Sequence, residues 1–407
     1  MIHLGFRLGI RLSVGVLLLA MVLPVGAEDN QDYTKGLEAY RAREYSTAVQ
    51  RFQKVVEQSP DHAGSHYLLG LSLRANKQTS KALASLRKAA ELDPGNATYA
   101  IALGQTLAQA NQPNDAYLTL KKVNYSSLDA RAKQSYAPAF AQAAIKAGFP
   151  GEAIPVLEAQ TKATPKNADL FYSLGYAYNK QENHGKAFAA FKKSYELKPS
   201  DSKKGEAAVK SAISAGRRAT GSKKDSYYSQ GAAIAEKLAG ASPTFDNFLL
   251  AGEAQLGAKD YQKALGWFDR ARSKQPQNAL VHYYHSQCNT NLGQYNSAIT
   301  DLKQALKIGV SGKMRTQVHN QMGFVYDKTK KYDEAITAYK NAGNPRKVSD
   351  VEKKKADAAK NVEADKEKAA YGEKLRALEF QIKELEAIGE IEEANDLREH
   401  LKKLREQ

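Results

Sequence analysis

The chain has 407 residues, about two-fifths of them apolar, with 28 glycines, 12 prolines and one cysteine. That apolar content supports a packed core and excludes a chain disordered throughout. A formal charge of +16 favours acidic protein surfaces, anionic glycans or lipid headgroups as partners.

The first 27 residues read as a secretion leader. Arg7 and Arg11 form the positive region, Leu12 to Leu23 the apolar stretch, and Pro24 leads to small residues ending at Ala27. The apolar stretch is short for a membrane span, which needs roughly 20 residues. No later segment is continuously apolar over that length, so no integral span is expected after cleavage. Cys288 is the only cysteine, which excludes an internal disulfide. No cysteine stands at the cleavage point for lipid attachment. The expected location is periplasmic or secreted, and nucleic acid is not an expected partner there.

Beyond the leader the chain repeats. Ala48, Ala82 and Ala116 are 34 residues apart, Ala153 follows after 37 and Ala187 after 34. Ala264 and Ala298 are again 34 apart, and Ala335 follows after 37. Twelve residues before the alanine stand Gly36, Gly70, Gly104, Gly175, Gly252 and Gly323. Four residues after it stand Phe52, Leu86, Leu120, Leu157, Phe191, Phe268, Leu302 and Tyr339. Pro60, Pro94, Pro165, Pro199 and Pro276 close five of the copies. Small residues let two antiparallel helices approach closely. The larger residue lies on the alanine's own helical face and fills the space between hairpins. Proline stops the second helix and helps start the next. Each hairpin leaves an apolar face open, and stacking closes it into one core.

In phase and period this pattern resembles the tetratricopeptide repeat family, eight times over, across roughly residues 29 to 344. Ala141 and Ser286 stand where glycine is usual, and three copies lack the closing proline. The resemblance implies an all-α, right-handed superhelical solenoid of antiparallel helix pairs. It also implies that the first helix of each pair lines a concave groove. Carried over position by position, the fifth place holds Tyr33, Tyr67, Tyr172 and Tyr283. The ninth holds Leu37, Leu71, Gln105, Gln142, Tyr176, Glu253, Gln287 and Phe324. The twelfth and thirteenth supply Tyr40, Arg74, Gln109, Lys146, Asn179, Lys180, Asn291 and Lys328. The family's carboxylate-clamp variety needs lysine and asparagine where the first repeat has Tyr33 and Leu37, so capture of chaperone tails is not expected.

The expected blocks are a leader over 1–27, five repeats over 28–200, an atypical basic helical hairpin over 201–244, three repeats over 245–344, and a charged tail over 345–407. Between Pro199 and Pro243 there are 44 residues where 34 are due. That segment reads as two helices joined by a longer loop at Thr220–Ser226, and serves either as a joint or as a basic binding surface. From Ser349 one long helix runs to the breaker Gly389, with Tyr371, Leu375, Leu378, Ile382 and Leu385 in a stripe. A second helix follows with Ile391, Ala394, Leu397, Leu401 and Leu404 inward. This hairpin caps the array, self-associates as a coiled coil or docks a partner; the sequence leaves the three open.

His282, His285 and Cys288 stand three residues apart, a spacing open to metal ligands. Two of them fall on packing positions of the repeat, so no metal site is expected. His184, in a turn, has no evident partner. No phosphate loop, zincin motif or nucleophile elbow occurs, and no enzyme activity or cofactor is expected. The leading functional expectation is a non-enzymatic periplasmic scaffold that holds protein partners, acidic peptides or surfaces among them, in a cell-envelope assembly. The alternative is a subunit of an exopolysaccharide or envelope-glycan export system that contacts an anionic polymer.

Overall fold

The structure is a computed structural model that describes residues 31–406; the leader expected over 1–27 lies outside the described residues. Among the described residues every regular element is a helix, and the chain forms two compact units that part after Leu238. In the first unit α1 (Gln31–Arg41) pairs with α2 (Tyr45–Gln58), and α3 (Ala63–Ala75) with α4 (Thr79–Leu92). Next, α5 (Ala97–Gln109) pairs with α6 (Pro113–Lys121), and α7 (Ala130–Lys146) with α8 (Pro150–Ala163). Then α9 (Ala168–Lys180) pairs with α10 (His184–Leu197), and α11 (Ser202–Arg218) leads to α12 (Gly221–Ala241).

The second unit pairs α13 (Phe245–Gly257) with α14 (Tyr261–Lys274), and α15 (Ala279–Asn291) with α16 (Tyr295–Ile308). It continues with α17 (Gly312–Lys328) and α18 (Tyr332–Asn341), then α19 (Pro345–Ile388) and α20 (Ile391–Arg405). Within each unit the second helix of a pair also packs on the first helix of the next. The fold is an all-α solenoid of helix pairs.

The recurrent small residues make these pairs. All eight anchor alanines, from Ala48 to Ala335, are fully buried. A β-carbon on Gly70 would fall 2.6 Å from Leu86 Cγ, one on Gly175 would fall 2.7 Å from Phe191, and one on Gly323 would fall 2.8 Å from Tyr339. Ser286, which replaces glycine, is also buried and donates its hydroxyl to the Tyr283 carbonyl at 2.6 Å. Five residues before the anchor, each turn passes through the left-handed region. Six of these turns carry side chains there: Arg43, Lys77, Asn111, Glu182, Lys259 and Lys330. Two residues after the closing prolines Pro94, Pro165 and Pro276, an asparagine side chain caps the next helix (Asn96, Asn167 and Asn278). Each such cap satisfies otherwise unpaired N–H groups of the first turn.

Two expectations need correction. Thr220–Ser226 is not a longer loop: α12 begins at Gly221 (φ +56), so Ser222–Ser226 are helical. Nothing after Gly221 breaks the helix, and close contacts of Gly216 with Tyr228 and of Gly231 with Ala212 bind α12 to α11. In the tail, Ile391 does not point inward but is 53 % exposed. Ala394 takes the anchor position of this last hairpin and is fully buried with Ile382 and Leu401. Gly389 (φ +90) makes its turn, again five residues before the alanine. Helix α19 starts at Pro345, ahead of the compositional shift, with Asn344 as its cap. Val351 is buried there against Ala335 and Tyr339, so the first turns of α19 cover the last repeat.

The close approach sets a stability contrast. Gly70→Ala forces a methyl onto the branch point of Leu86 and should destabilise the chain by about 1–3 kcal/mol. Gly266→Ala lies in an exposed helix interior with open space around it. It should stabilise by about 0.5–1 kcal/mol. Urea unfolding of the two variants beside the wild type checks both signs.

Candidate functional site

The candidate residues sit on the first helices of the pairs, and each unit is described by itself. In the first unit, Tyr33 and Tyr67 are buried and pack within the hairpin stack. The Tyr33 ring stands edge-on to Phe52 at 6.0 Å and to His62 at 6.1 Å. The Tyr67 ring lies 5.0 Å from that of Tyr99, and burial pushes the Tyr67 phenol well above its usual range. Leu37 and Tyr40 are half-buried, with Tyr40 edge-on to Tyr45 at 5.7 Å. Burial raises the Tyr40 phenol, and the positive charge of Arg74 opposes the rise.

Arg74, half-buried near the end of α3, donates from Nη1 to Gln105 Oε1 at 3.4 Å and to Thr106 Oγ1 at 3.3 Å. Gln105 in turn donates to the Ser135 carbonyl at 3.3 Å. Lys146 is exposed at the end of α7.

On α9, Tyr172 is half-buried, edge-on to Phe191 at 5.2 Å, with Lys204 Nζ 5.0 Å from its ring centre. Lys204 itself is buried and bonds Asp169 at 2.7 Å and Asp201 at 3.1 Å. The buried cation is therefore paired and hydrogen-bonded, as burial of a charge requires. It is one basic residue of the atypical segment that holds the fold rather than offering a surface. Tyr176 is half-buried beneath Lys180, whose Nζ lies 5.5 Å from the ring centre. Asn179 and His184 are joined, Oδ1 to Nδ1 at 3.0 Å. His184 thus has a partner after all, and part of the Asn179 amide is already engaged. Burial lowers the His184 pKa, helped by Arg218 and opposed by Glu182.

In the second unit, Tyr283 is buried and burial raises its phenol, while Gln287 is half-buried. Asn291 is exposed and donates to the Gln287 carbonyl at 2.8 Å. Phe324 is 42 % exposed, with Lys328 Nζ 5.6 Å from its ring centre. Tyr176 with Lys180 and Phe324 with Lys328 occupy the same two places of their repeats, one in each unit.

A buried polar cluster behind α15 is the feature that sequence reading missed. His285 Nδ1 meets Asp301 Oδ2 at 2.7 Å, and Asn289 donates to the same oxygen at 2.9 Å. His285 Nε2 faces Asp269 at 3.4 Å, and His282 Nε2 bonds the Pro276 carbonyl at 3.1 Å. The spacing of His282 and His285 is visible in the sequence, but their partner Asp301, an acid beside the core residue Leu302, is the signal that was passed over. Cys288 is fully buried, and burial pushes its thiol up to about 12. That makes it a poor nucleophile at neutral pH. Among the described residues no group of three His, Cys, Asp or Glu is arranged to hold a metal ion. Nor is any described helix long and apolar enough to cross a membrane.

With the hairpins and their first-helix faces in view, comparison with known proteins is direct. The family described as tetratricopeptide repeat matches residues 33–97 and 139–202. Over those stretches the chain carries tetratricopeptide repeats. A second family, described as anaphase-promoting complex, cyclosome, subunit 3, matches residues 257–342. No curated protein matches. Among solved structures, MamA (residue 41 to the end) from Desulfovibrio magneticus RS-1 is 16 % identical at a TM-score of 0.37. The match covers 43 % of this chain and 94 % of that one. The P58(IPK) TPR domain is 15 % identical at 0.27, covering 81 % and 98 %. The C-terminal part of a TPR repeat-containing protein from Cytophaga hutchinsonii is 14 % identical at 0.45, covering 60 % and 93 %. These scores bear on neither the shape nor the partners of this chain. The repeats themselves suggest a protein-interaction scaffold, a fold that is typically non-catalytic.

The Lys204 pairing has a pH signature. Burial alone would raise the Asp201 pKa, but the hydrogen bond and charge of Lys204 more than offset it, so the net shift is downward. A depressed carboxyl stabilises the fold above its unfolded pKa, about 3.9, and loses that contribution as pH falls through the folded value. Lys204→Met should destabilise the protein near neutral pH. The gap from wild type should narrow as pH drops below about 4. Urea unfolding of both proteins from pH 7 to pH 3 measures the gap, and a constant gap would refute this account of the pair.

Proposed function

We propose that the chain is an exported, non-catalytic scaffold that holds segments of partner proteins along its first-helix faces in a cell-envelope assembly. One observation carries the reading: an aromatic ring capped by a lysine, at the same two repeat positions in both units, as Tyr176 with Lys180 and Phe324 with Lys328. Lining these faces with a half-buried tyrosine and an exposed phenylalanine is hard to explain by packing alone. Aromatic anchors supply large contact area at low entropic cost and are enriched among residues that dominate binding. The neighbouring ammonium groups suit acidic side chains on the partner. Export rests on the leader motif at the N-terminus, and the envelope setting follows from export.

Recovery of the mature chain by a C-terminal tag from gently lysed cells, without crosslinking, tests the reading. Wild type should retain specific proteins through a high-salt wash, because contacts made on aromatic surface outlast screened charges. Tyr176→Ala and Phe324→Ala should each lower recovery of at least one of them by about ten-fold. Equal recovery by wild type and both variants would refute the groove reading. Material that washes off smoothly with salt and contains anionic sugar would favour a polymer as the bound species.

A further inference from the structure

Among the described residues of the first unit, Lys204 is buried and Arg74 half-buried at the first-helix faces, and these two cations are treated differently. Lys204 has two carboxylates within 3.1 Å. Arg74 has none. Among the described residues its hydrogen bonds are the two long ones from Nη1 to Gln105 and Thr106. The ionisable groups close enough to perturb it are Tyr40 and Tyr67, both neutral phenols, and burial lowers its pKa from the usual value. A charge taken from water normally acquires an opposite charge or a full set of hydrogen bonds. Here a guanidinium with five N–H donors makes two weak bonds. Its remaining donors are not sealed in: the buried side-chain atoms without partners among the described residues are Asn247 Oδ1 and His282 Nδ1. Arg74 is half-buried, so part of the side chain remains accessible.

We propose that Arg74 is the receptor for one carboxylate of a partner polypeptide, an Asp or Glu side chain, seated against α1, α3 and α5. The inference rests on the scaffold reading above and names the chemistry that one part of it selects. A planar guanidinium matches a carboxylate with two parallel N–H···O bonds, and the pair strengthens where water is scarce. The surroundings suit a peptide more than a sugar polymer. Tyr40, half-buried, lies close enough to the cation to interact with its charge, and Leu37 is half-buried one turn earlier on α1. The amides of Gln109, exposed on α5, and Gln142, half-buried on α7, offer paired donors and acceptors to an extended backbone. Half-buried and without a carboxylate partner, Arg74 thus carries a partial desolvation cost in the free protein that a bound carboxylate relieves.

The test uses the full chain. A random dodecapeptide library is selected on immobilised wild type, and chosen peptides are resynthesised with each Asp or Glu replaced by Asn or Gln. Wild type should select an acid at one fixed position, and its amide analogue should bind about ten-fold more weakly or worse. Arg74→Gln should bind the acid and amide forms alike. Its melting temperature should equal or exceed that of wild type, because a structurally required arginine would give the opposite shift. The inference falls if Arg74→Gln still discriminates, if it fails to fold, or if oligogalacturonate displaces the peptide at equal carboxylate concentration. Selected peptides that lack acids but are lost in Tyr40→Ala would overturn the role of Arg74 and leave the groove standing. A wild type that selects nothing would take down both.

Discussion

A missing β-carbon governs the geometry of this protein. In six of its hairpins the backbone of a glycine in the first helix lies against a side chain sixteen residues later in the second: Gly36 on Phe52, Gly70 on Leu86, Gly104 on Leu120, Gly175 on Phe191, Gly252 on Phe268 and Gly323 on Tyr339. The contact fixes how near the two helices come, and the anchor alanine four residues before the larger side chain keeps the crossing tight. Once that distance is set, the outer edge of the large residue is offered to the next hairpin. The core of each unit is then a sum of neighbouring contacts rather than one central cluster.

That division of labour leaves the first-helix faces free to vary. Positions that face the partner helix are small or apolar, while the ninth, twelfth and thirteenth places mix leucine, half-buried tyrosine and exposed phenylalanine with arginine, asparagine, glutamine, glutamate and lysine. Lys204 and Arg74, both on first helices, show how differently the same fold handles charge. Lys204 is neutralised within the chain by Asp169 and Asp201. Arg74 meets only amide, hydroxyl and phenol groups. The first reads as mortar between hairpins, and the second as an unfilled valence. Buried tyrosines at the fifth place, Tyr33, Tyr67 and Tyr283, belong with the mortar, since their rings pack against neighbouring side chains.

Repetition is what made the fold legible. A glycine or alanine alone says little, but one recurring at 34 residues fixes helix ends, faces and partners together. The tail hairpin was legible for the same reason: Ala394 and Gly389 restate the anchor and its turn. What repetition does not encode was harder to see. The left-handed turn position holds six side chains with nothing chemical in common but polarity, so no residue type flagged it. Lys204 meets Asp169 and His285 meets Asp269 from the preceding hairpin, Asp169 being 35 residues away, and only stacking brings these pairs together. Thr220–Ser226 read as a loop because its residues are small and polar, although after Gly221 none of them stops a helix. Among the candidate site residues, sequence placed them on the right helices but did not tell ring from hydroxyl, or free cation from paired one.

The long helix α19 has one further implication. Its first turns are fastened to α18 and its last to α20, yet from Glu352 to Ala370 almost every residue is exposed. Forty-four helical residues span about 66 Å at the α-helical rise. Lys354 and Lys355 still reach back to Asp327 and Asp333. From Ala356 to Ala370 the described residues make no ion pair or side-chain hydrogen bond with another helix, so the helicity of that middle stretch rests on local propensity. It works as a strut whose stiffness depends on solvent conditions: straight, it holds the terminal hairpin at a set reach from the repeats; locally melted, it becomes a leash. Anything fixed to that hairpin would meet the repeats at one effective concentration in the first state and at another in the second.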